Sequence, residues 1–274
     1  MKKVLVPTDF STQAENALKV AAQLAKKYQC AIHLLHIIEL PLQKVDPIIA
    51  NNDLPEAIFF MKLARKHFET LLKNDYLKGI TIHEHVEFND IFKSVFHVCE
   101  KYNIDLIIMG SKGSSGLTEM LIGSNTEKVV RTSEVPVLVI KKEHDTFDIN
   151  NFVFASDFND ESKTPYKKAT DFAKLFKAKI HLLLVNTPNN FMTTLEAEER
   201  MLNFTKNTDF KNFTINIYND ETIENGIMNY AKSINADLIG MSTHGRQGIS
   251  HFFNGSISED LVNHAKRPVI TFKI

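Results

Sequence analysis

The chain has 274 residues, of which 43% are hydrophobic and 24% are charged, so it is long enough for two domains with their own cores. The chain has 32 Lys plus Arg and 33 Asp plus Glu. Proteins that bind DNA or RNA usually have a clear basic excess, so this balance argues against a nucleic-acid-binding protein. Its two cysteines, Cys30 and Cys99, form no C-x-x-C pair, which excludes a disulfide scaffold and fits a reducing compartment. No apolar run reaches the roughly 18 residues of a membrane span, and the first residues do not resemble a secretory signal, so we expect a cytoplasmic protein with no membrane contact.

Short apolar runs alternate with helical patterns along the first half. Strands are predicted at residues 4–6, 31–38, 80–86, 106–109 and 135–140. The helix after the first strand has Thr12 and Glu15 spaced as a capping box, and a later helix is predicted to begin after Asn89 and Asp90. Continuous apolar strands alternating with helices predict a parallel sheet covered on both faces.

The second half repeats the first. Residues 4–10 resemble residues 152–158, and residues 32–35 resemble residues 180–183, at one common offset. In this half Pro165 is compatible only with a first helical turn, so we start that helix near Thr164. We predict domains at 1–142 and 150–274, joined at the polar stretch 141–145. The predicted fold class is α/β, with two doubly wound, open, parallel five-stranded sheets in tandem.

The last strand of each repeat is apolar, at residues 135–140 and 269–272. Pairing these strands would cover an edge that otherwise invites aggregation. We therefore expect the two domains to form an intramolecular pseudo-dimer. The sequence does not decide whether two such chains also form a homodimer.

Three polar segments of the first repeat follow strands or open a helix. In an open parallel sheet these positions meet where ligands bind, and a helix start with glycine nearby favours a phosphate. The alternative is that they are ordinary turns and caps, since neither G-x-x-x-x-G-K-[ST] nor a G-x-G-x-x-G after the first strand is present. The segments are Pro7-Thr8-Asp9, Gly110-Ser111-Lys112-Gly113 and Gly123-Ser124-Asn125-Thr126.

Gly110, Gly113 and Gly123-Ser124 together match the pattern G-x2-G-x9-G-[ST]. With the Pro-Thr-Asp after the first strand and the final strand that begins Val135-Pro136, this pattern resembles the universal stress protein family, and the likeness covers both repeats. The resemblance implies Rossmann-like adenine-nucleotide-binding domains with a role in stress tolerance. It assigns the nucleotide to Pro7, Thr8, Asp9, Ile37, Met109, Gly110, Lys112, Gly113, Gly123, Ser124, Asn125 and Thr126. Lys112 departs from the family, which often has histidine there.

The second repeat departs further from the family pattern, because Ser242 stands where the first glycine is expected. A Cβ at that position would crowd a backbone that approaches a ligand, so we expect the first site to be the tighter one. The corresponding residues are Ala155, Ser156, Asp157, Val185, Ser242, His244, Gly245, Gly255, Ser256, Ile257 and Ser258.

The resemblance predicts an ATP-binding stress-response sensor or regulator, with Mg²⁺ as a companion of the phosphates. Two alternatives stay open: slow ATP hydrolysis or autophosphorylation at the same site, and a protein-interaction scaffold without nucleotide. No catalytic residue and no protein partner is assigned.

Histidines do not predict a metal site. His83 and His85 alternate along a strand and face one side, but no third ligand lies at a zinc-like spacing. We expect His33 and His181, at matching strand positions, to be structural, and the basic residues near Lys62 and Lys66 to form a solvated helix face.

Overall fold

The computed structural model describes residues 1–39, 53–88, 90–111, 123–243 and 261–274. The strands are β1 Lys3–Pro7, β2 Ala31–Ile38, β3 Ile82–Phe88, β4 Leu106–Gly110, β5 Val137–Ile140, β6 Asn151–Ala155, β7 Lys179–Asn186, β8 Phe213–Asn219, β9 Leu238–Thr243 and β10 Val269–Lys273. The helices include α1 Thr12–Tyr28, α2 Asp53–Leu71, α3 Ile91–Tyr102, α4 Ser124–Thr132, α5 Lys163–Phe176, α6 Thr194–Thr205 and α7 Ile223–Ser233. Within the described ranges, no helix has the length and apolarity that crossing a membrane requires.

All ten strands belong to one continuous sheet, in the order β3-β2-β1-β4-β5-β10-β9-β6-β7-β8. Each five-stranded half is parallel, and the halves join through the antiparallel pair β5–β10, where Leu138 lies opposite Ile270. The predicted α/β fold and the pairing of the last strands are confirmed. The two predicted sheets are halves of one sheet because β5 and β10 each supply an edge to the other.

Helices cover both faces of this sheet. Buried side chains of α1, α2, α5 and α6 form one core layer, which includes Phe68 and Met201. Buried side chains of α3, α4 and α7 form the layer on the other face, which includes Val95 and Ile227. The apolar strands lie between these layers, as expected for a doubly wound sheet.

The junction of the halves is packed on α1. Gln23 of α1 donates to the carbonyl of His144 at 2.9 Å and accepts from the amide of Phe147 at 2.6 Å. Phe147 and Ile149 are buried. The tyrosine at the end of α1, Tyr28, donates to the carbonyl of Leu175 in α5 at 2.8 Å. The stretch between the repeats therefore has an exposed polar side and is fixed to the core by Phe147 and Ile149.

Three local predictions were wrong. Strand β5 begins at Val137 and not at Val135, because Pro136 has no N–H to donate to a neighbouring strand. Helix α1 is capped by Ser11, whose hydroxyl accepts from the amide of Ala14 at 3.3 Å, so Thr12 lies inside the helix and forms no capping box. Strand β3 begins two residues late because Ile80 closes a turn onto the carbonyl of Leu77, after a short 3₁₀ segment.

Other helix starts were predicted correctly. Asp90 caps α3 by accepting from the amide of Lys93 at 2.9 Å. Pro165 lies in the first turn of α5, which follows a 3₁₀ turn at Asp160–Ser162.

Candidate functional site

A cleft of about 420 Å³ opens at the carboxyl ends of β1, β2 and β4. It lies at the topological switch point of the first half, since the chain runs outward from β1 to β2 and β3 and then returns to place β4 on the other side of β1. Every predicted first-repeat residue within the described part of the chain lines this cleft. Its lining comprises Pro7, Thr8, Asp9, Ala14, Leu35, Ile37, Glu39, Ile91, Met109, Gly110, Gly123, Ser124, Asn125 and Thr126. Lys112 and Gly113 lie outside the described residues.

A tight turn after β1 positions Asp9. The amide of Phe10 donates to the Thr8 hydroxyl at 3.0 Å, and the amide of Ser11 donates to the Asp9 carboxylate at 3.0 Å. Phe10 has a φ of 62°, in the left-handed region that bulky residues seldom adopt. The turn leaves Asp9 exposed at the cleft and Thr8 buried beneath it. The equivalent Phe158 of the second repeat has a φ of 55°, so both repeats share this left-handed turn.

His36 supports this turn from β2, and sequence reasoning missed it. Its Nδ1–H donates to the Thr8 carbonyl at 2.8 Å, which fixes the tautomer, and its ring lies 4.6 Å from the Phe10 ring. Burial lowers the pKa of His36, against the opposing effects of the Thr8 carbonyl and the Asp9 carboxylate. The His36 ring therefore stabilises the turn through its hydrogen bond to Thr8 and its contact with Phe10. Its position next to the predicted wall residue Ile37 was the available signal.

Gly110 is required by the packing of α1. A Cβ at this position would lie 2.5 Å from the carbonyl oxygen and 2.6 Å from the carbonyl carbon of Gln13. Both are backbone atoms, which cannot move aside alone. The glycine thus lets the first turn of α1 approach β4, a reason that differs from the predicted close approach of a ligand.

Thr126 ties α4 to β4. Its hydroxyl donates to the Gly110 carbonyl at 3.0 Å, and the side chain is buried. Because a hydroxyl has one proton, this bond removes Thr126 as a hydroxyl donor to a ligand in this conformation. Its side chain therefore fixes the helix that borders the cleft.

Helix α4 begins in the cleft, and among the described residues no side chain caps its first amides. Gly123 is its N-cap and provides no side-chain cap, and the first intrahelical bond runs from the Glu127 amide to the Gly123 carbonyl. The preceding amides lack partners within the helix, and the helix dipole adds positive potential there. Ser124 and Asn125 are exposed at this end. This start can accept an anion.

The charged residues in the described lining are acidic. Asp9 lies at the end of β1 and Glu39 follows β2, and both are exposed. A phosphate bound here would therefore gain favourable charge from the start of α4 and from a cation held by the carboxylates.

The equivalent carboxylate in the second repeat, Asp157, is hydrogen-bonded to side chains of the protein. Asp157 is buried and accepts from the Asn159 side-chain amide at 2.9 Å and from the Ser162 hydroxyl at 3.1 Å. Ala155 and Ser156 are also buried. Asp157 thus serves the fold in the place where Asp9 faces a cleft.

The predicted apolar wall of the second repeat is also covered. Val185 is buried against Gly226 of α7, where an added Cβ would lie 2.4 Å from its Cγ1. Its counterpart Ile37 is only half-buried and lines the first cleft. Ser242 is fully buried, and its hydroxyl has no hydrogen-bond partner among the residues that the structure describes. Six predicted residues, His244, Gly245, Gly255, Ser256, Ile257 and Ser258, lie outside the described residues.

Histidines of β2 and β3 meet away from the cleft. His83 and His85 face the same side, and His33 stacks on His85 with an Nδ1–Nε2 distance of 2.9 Å. His181 is hydrogen-bonded to Asn151 at 3.1 Å in the core of the second half. In the described ranges, no group of three or more His, Cys, Asp or Glu side chains could hold a metal ion.

Comparisons with known proteins agree with this architecture. The model of the Universal stress protein family matches residues 1–141 and 214–273, well over half of the chain. A universal stress protein of Methanocaldococcus jannaschii is 31% identical over 160 residues, which cover 52% of this chain and 96% of the relative. Another, from Synechocystis, is 23% identical and covers both chains entirely. The crystal structure of a universal stress protein from Archaeoglobus fulgidus superposes with a TM-score of 0.69 at 22% identity, covering 99% of this chain and 98% of that one. The chain belongs to the universal stress protein family.

Proposed function

We propose that this chain binds one adenine nucleotide, ATP with Mg²⁺, in the cleft of the first repeat and acts as a stress-response sensor or regulator. The observation that carries the proposal is the cleft itself: it lies at the switch point of a parallel sheet and contains the open start of α4. Membership of the family supports the role in stress.

The two ends of the cleft suit the two ends of a nucleotide. The amides of the first turn of α4, at Ser124 and Asn125, suit the phosphates, since they lack partners within the helix and lie at the positive end of its dipole. Ile37 and Met109 offer apolar contact for the base. Asp9 would accept hydrogen bonds from the ribose hydroxyls.

The carboxylates in the cleft also fit a magnesium ion. Asp9 and Glu39 are hard oxygen donors in the same cleft, and Mg²⁺ is usually held by one or two carboxylates together with phosphate oxygens. The bound ion would neutralise charge between these carboxylates and the phosphates.

We propose that the second repeat binds nucleotide weakly or not at all. Asp157 already has partners, and Val185 is covered by α7. A ligand there would first have to break these contacts. We therefore propose two domains: residues 1–142 bind the nucleotide, and residues 150–274 mainly stabilise the fold.

Calorimetric titration with Mg-ATP, and with adenosine, tests the proposal. We expect one site per chain. Ser124→Asp should weaken ATP at least tenfold by placing a negative charge at the phosphate position, and it should leave adenosine binding unchanged. Ser124→Ala is the matched control and should bind ATP nearly as well as the wild type does.

Two outcomes would contradict the proposal. If the wild type binds no adenine nucleotide and releases none on heat denaturation, the nucleotide-free scaffold is the better account. Equal ATP affinity in Ser124→Asp and the wild type would remove the start of α4 from the site.

A further inference from the structure

Helices α2 and α6 expose large apolar side chains on their outer faces, as α3 does at Phe92 and Phe96. On α2, Phe59 is 62% exposed and Leu63 is 40% exposed. On α6, Leu195 is 66% exposed and Leu202 is 58% exposed. Helices α2 and α6 each follow the second strand of their repeat, so the two faces occupy equivalent places in the halves. Clustered apolar exposure of this kind marks an interaction surface.

Charges of opposite sign accompany the two apolar faces. Lys62 and Lys66 share the outer face of α2 with Phe59 and Leu63, at the spacing i, i+3, i+4, i+7 that places residues on one side of a helix. The same spacing on α6 places Glu198 and Glu199 between Leu195 and Leu202.

These four charged side chains are available. All are exposed, and within the described part of the chain none of them forms an ion pair. The face of α2 is therefore apolar and basic, while the face of α6 is apolar and acidic.

Distance prevents the two faces from meeting within one chain. Helix α2 packs beside β2 and β3, and α6 packs beside β8, so they lie near opposite edges of the ten-stranded sheet. With adjacent strands about 4.8 Å apart, the edges are on the order of 40 Å apart. Complementary faces so placed can pair only between molecules.

We propose that α2 of one copy docks on α6 of a second copy of this chain. Phe59 and Leu63 would pack against Leu195 and Leu202, with the lysines facing the glutamates. Pairing two α2 helices or two α6 helices would oppose like charges, so charge selects the α2–α6 contact.

Sedimentation velocity over a concentration series, at low and high salt, tests the proposal with two charge-reversed variants. Lys62→Glu/Lys66→Glu makes both faces acidic, and Glu198→Lys/Glu199→Lys makes both faces basic. We expect the wild type to self-associate more strongly at low salt, and each variant to lose at least tenfold in association constant. Mixing the two variants should restore association, because each then supplies the face that the other lacks.

The control is Lys167→Glu/Lys232→Glu, which makes the same charge change on α5 and α7 and should associate as the wild type does. The proposal is overturned if the wild type is monomeric at every concentration, or if the mixture of variants does not associate. It is also overturned if the chain stays monomeric while the wild type, but not Lys62→Glu/Lys66→Glu, binds anionic lipid vesicles. None of these outcomes depends on nucleotide binding.

Discussion

Replacing Gly110 by alanine would place a methyl group in steric conflict with the backbone of α1 at Gln13. The added Cβ would lie 2.5 Å from the Gln13 carbonyl oxygen and 2.6 Å from its carbon, so the first turn of α1 must retreat by about 1 Å to reach normal contact. Overpacking of this kind typically costs about 1–3 kcal/mol. We expect Gly110→Ala to lower the free energy of unfolding by that amount, with or without nucleotide.

Urea unfolding followed by far-ultraviolet circular dichroism measures this loss, since a lower midpoint with an unchanged slope reports stability. Ser242→Ala, at the equivalent position of β9, is the matched control. It removes a buried hydroxyl that has no partner within the described ranges, and should leave stability unchanged or raise it by about 1 kcal/mol. If Gly110→Ala unfolds at the wild-type midpoint, the packing explanation of this glycine is wrong.

This result affects how binding data on Gly110 are interpreted. Ala14, in the same turn of α1, lines the cleft, so a shift of α1 alters the cleft as well. A valine at position 110 would move α1 further than alanine does. Lost ATP binding in Gly110→Val would therefore not show that the glycine contacts the ligand.

Three further predictions concern single side chains. Asp9→Ala should weaken ATP binding in calorimetry by about 1–3 kcal/mol and lower the urea midpoint only slightly, because its bond to the Ser11 amide is exposed, whereas Asp157→Ala should lower that midpoint more, because its buried hydrogen bonds are lost; the reverse pattern would contradict both assignments. Burial, reinforced by His85 and His83, lowers the pKa of His33 to about 4 from an ordinary 6.5, so the unfolded chain binds a proton first as pH falls. The free energy of unfolding should therefore be lower at pH 5 than at pH 7.5, with about 2 kcal/mol of the loss due to His33, and His33→Gln should reduce this loss. If the loss in His33→Gln equals that of the wild type, His33 is not its source. Thr126→Val should lower the free energy of unfolding in urea by about 1–3 kcal/mol, because the Gly110 carbonyl loses the hydroxyl that donates to it. Thr126→Ser keeps the hydroxyl and should be as stable as the wild type; equal losses in both variants would point to packing instead.

Much of the fold could be predicted because its signals are local. Apolar runs, caps and the internal repeat identified the alternation of strands and helices, and the apolar last strands predicted the β5–β10 pair. The cleft followed from one general rule, since strand ends on the same edge of a parallel sheet must converge.

The rest depends on side-chain contacts that the spacing of the residues does not show. Asp9 and Asp157 have similar neighbours along the chain, yet Ser162 and Asn159 bind the second carboxylate and bury it. Likewise, Val185 resembles Ile37 in sequence but is covered by Gly226. Spacing alone does not show such partners, so the two sites looked more alike than they are.

The antiparallel junction has a consequence for how the two halves can diverge. Because β5 and β10 run in opposite directions, the carboxyl edge of the first half and that of the second open on opposite sides of the molecule. Strand pairing at the junction uses backbone groups, which every sequence except proline supplies. A substitution at the second edge therefore changes neither the residues of the first cleft nor the backbone pairing of the junction, and it acts on the chain through stability, as the buried bonds of Asp157 illustrate. A duplicated chain of this design can keep one working site while the other copy drifts into a supporting role, in line with a family match that omits residues 142–213.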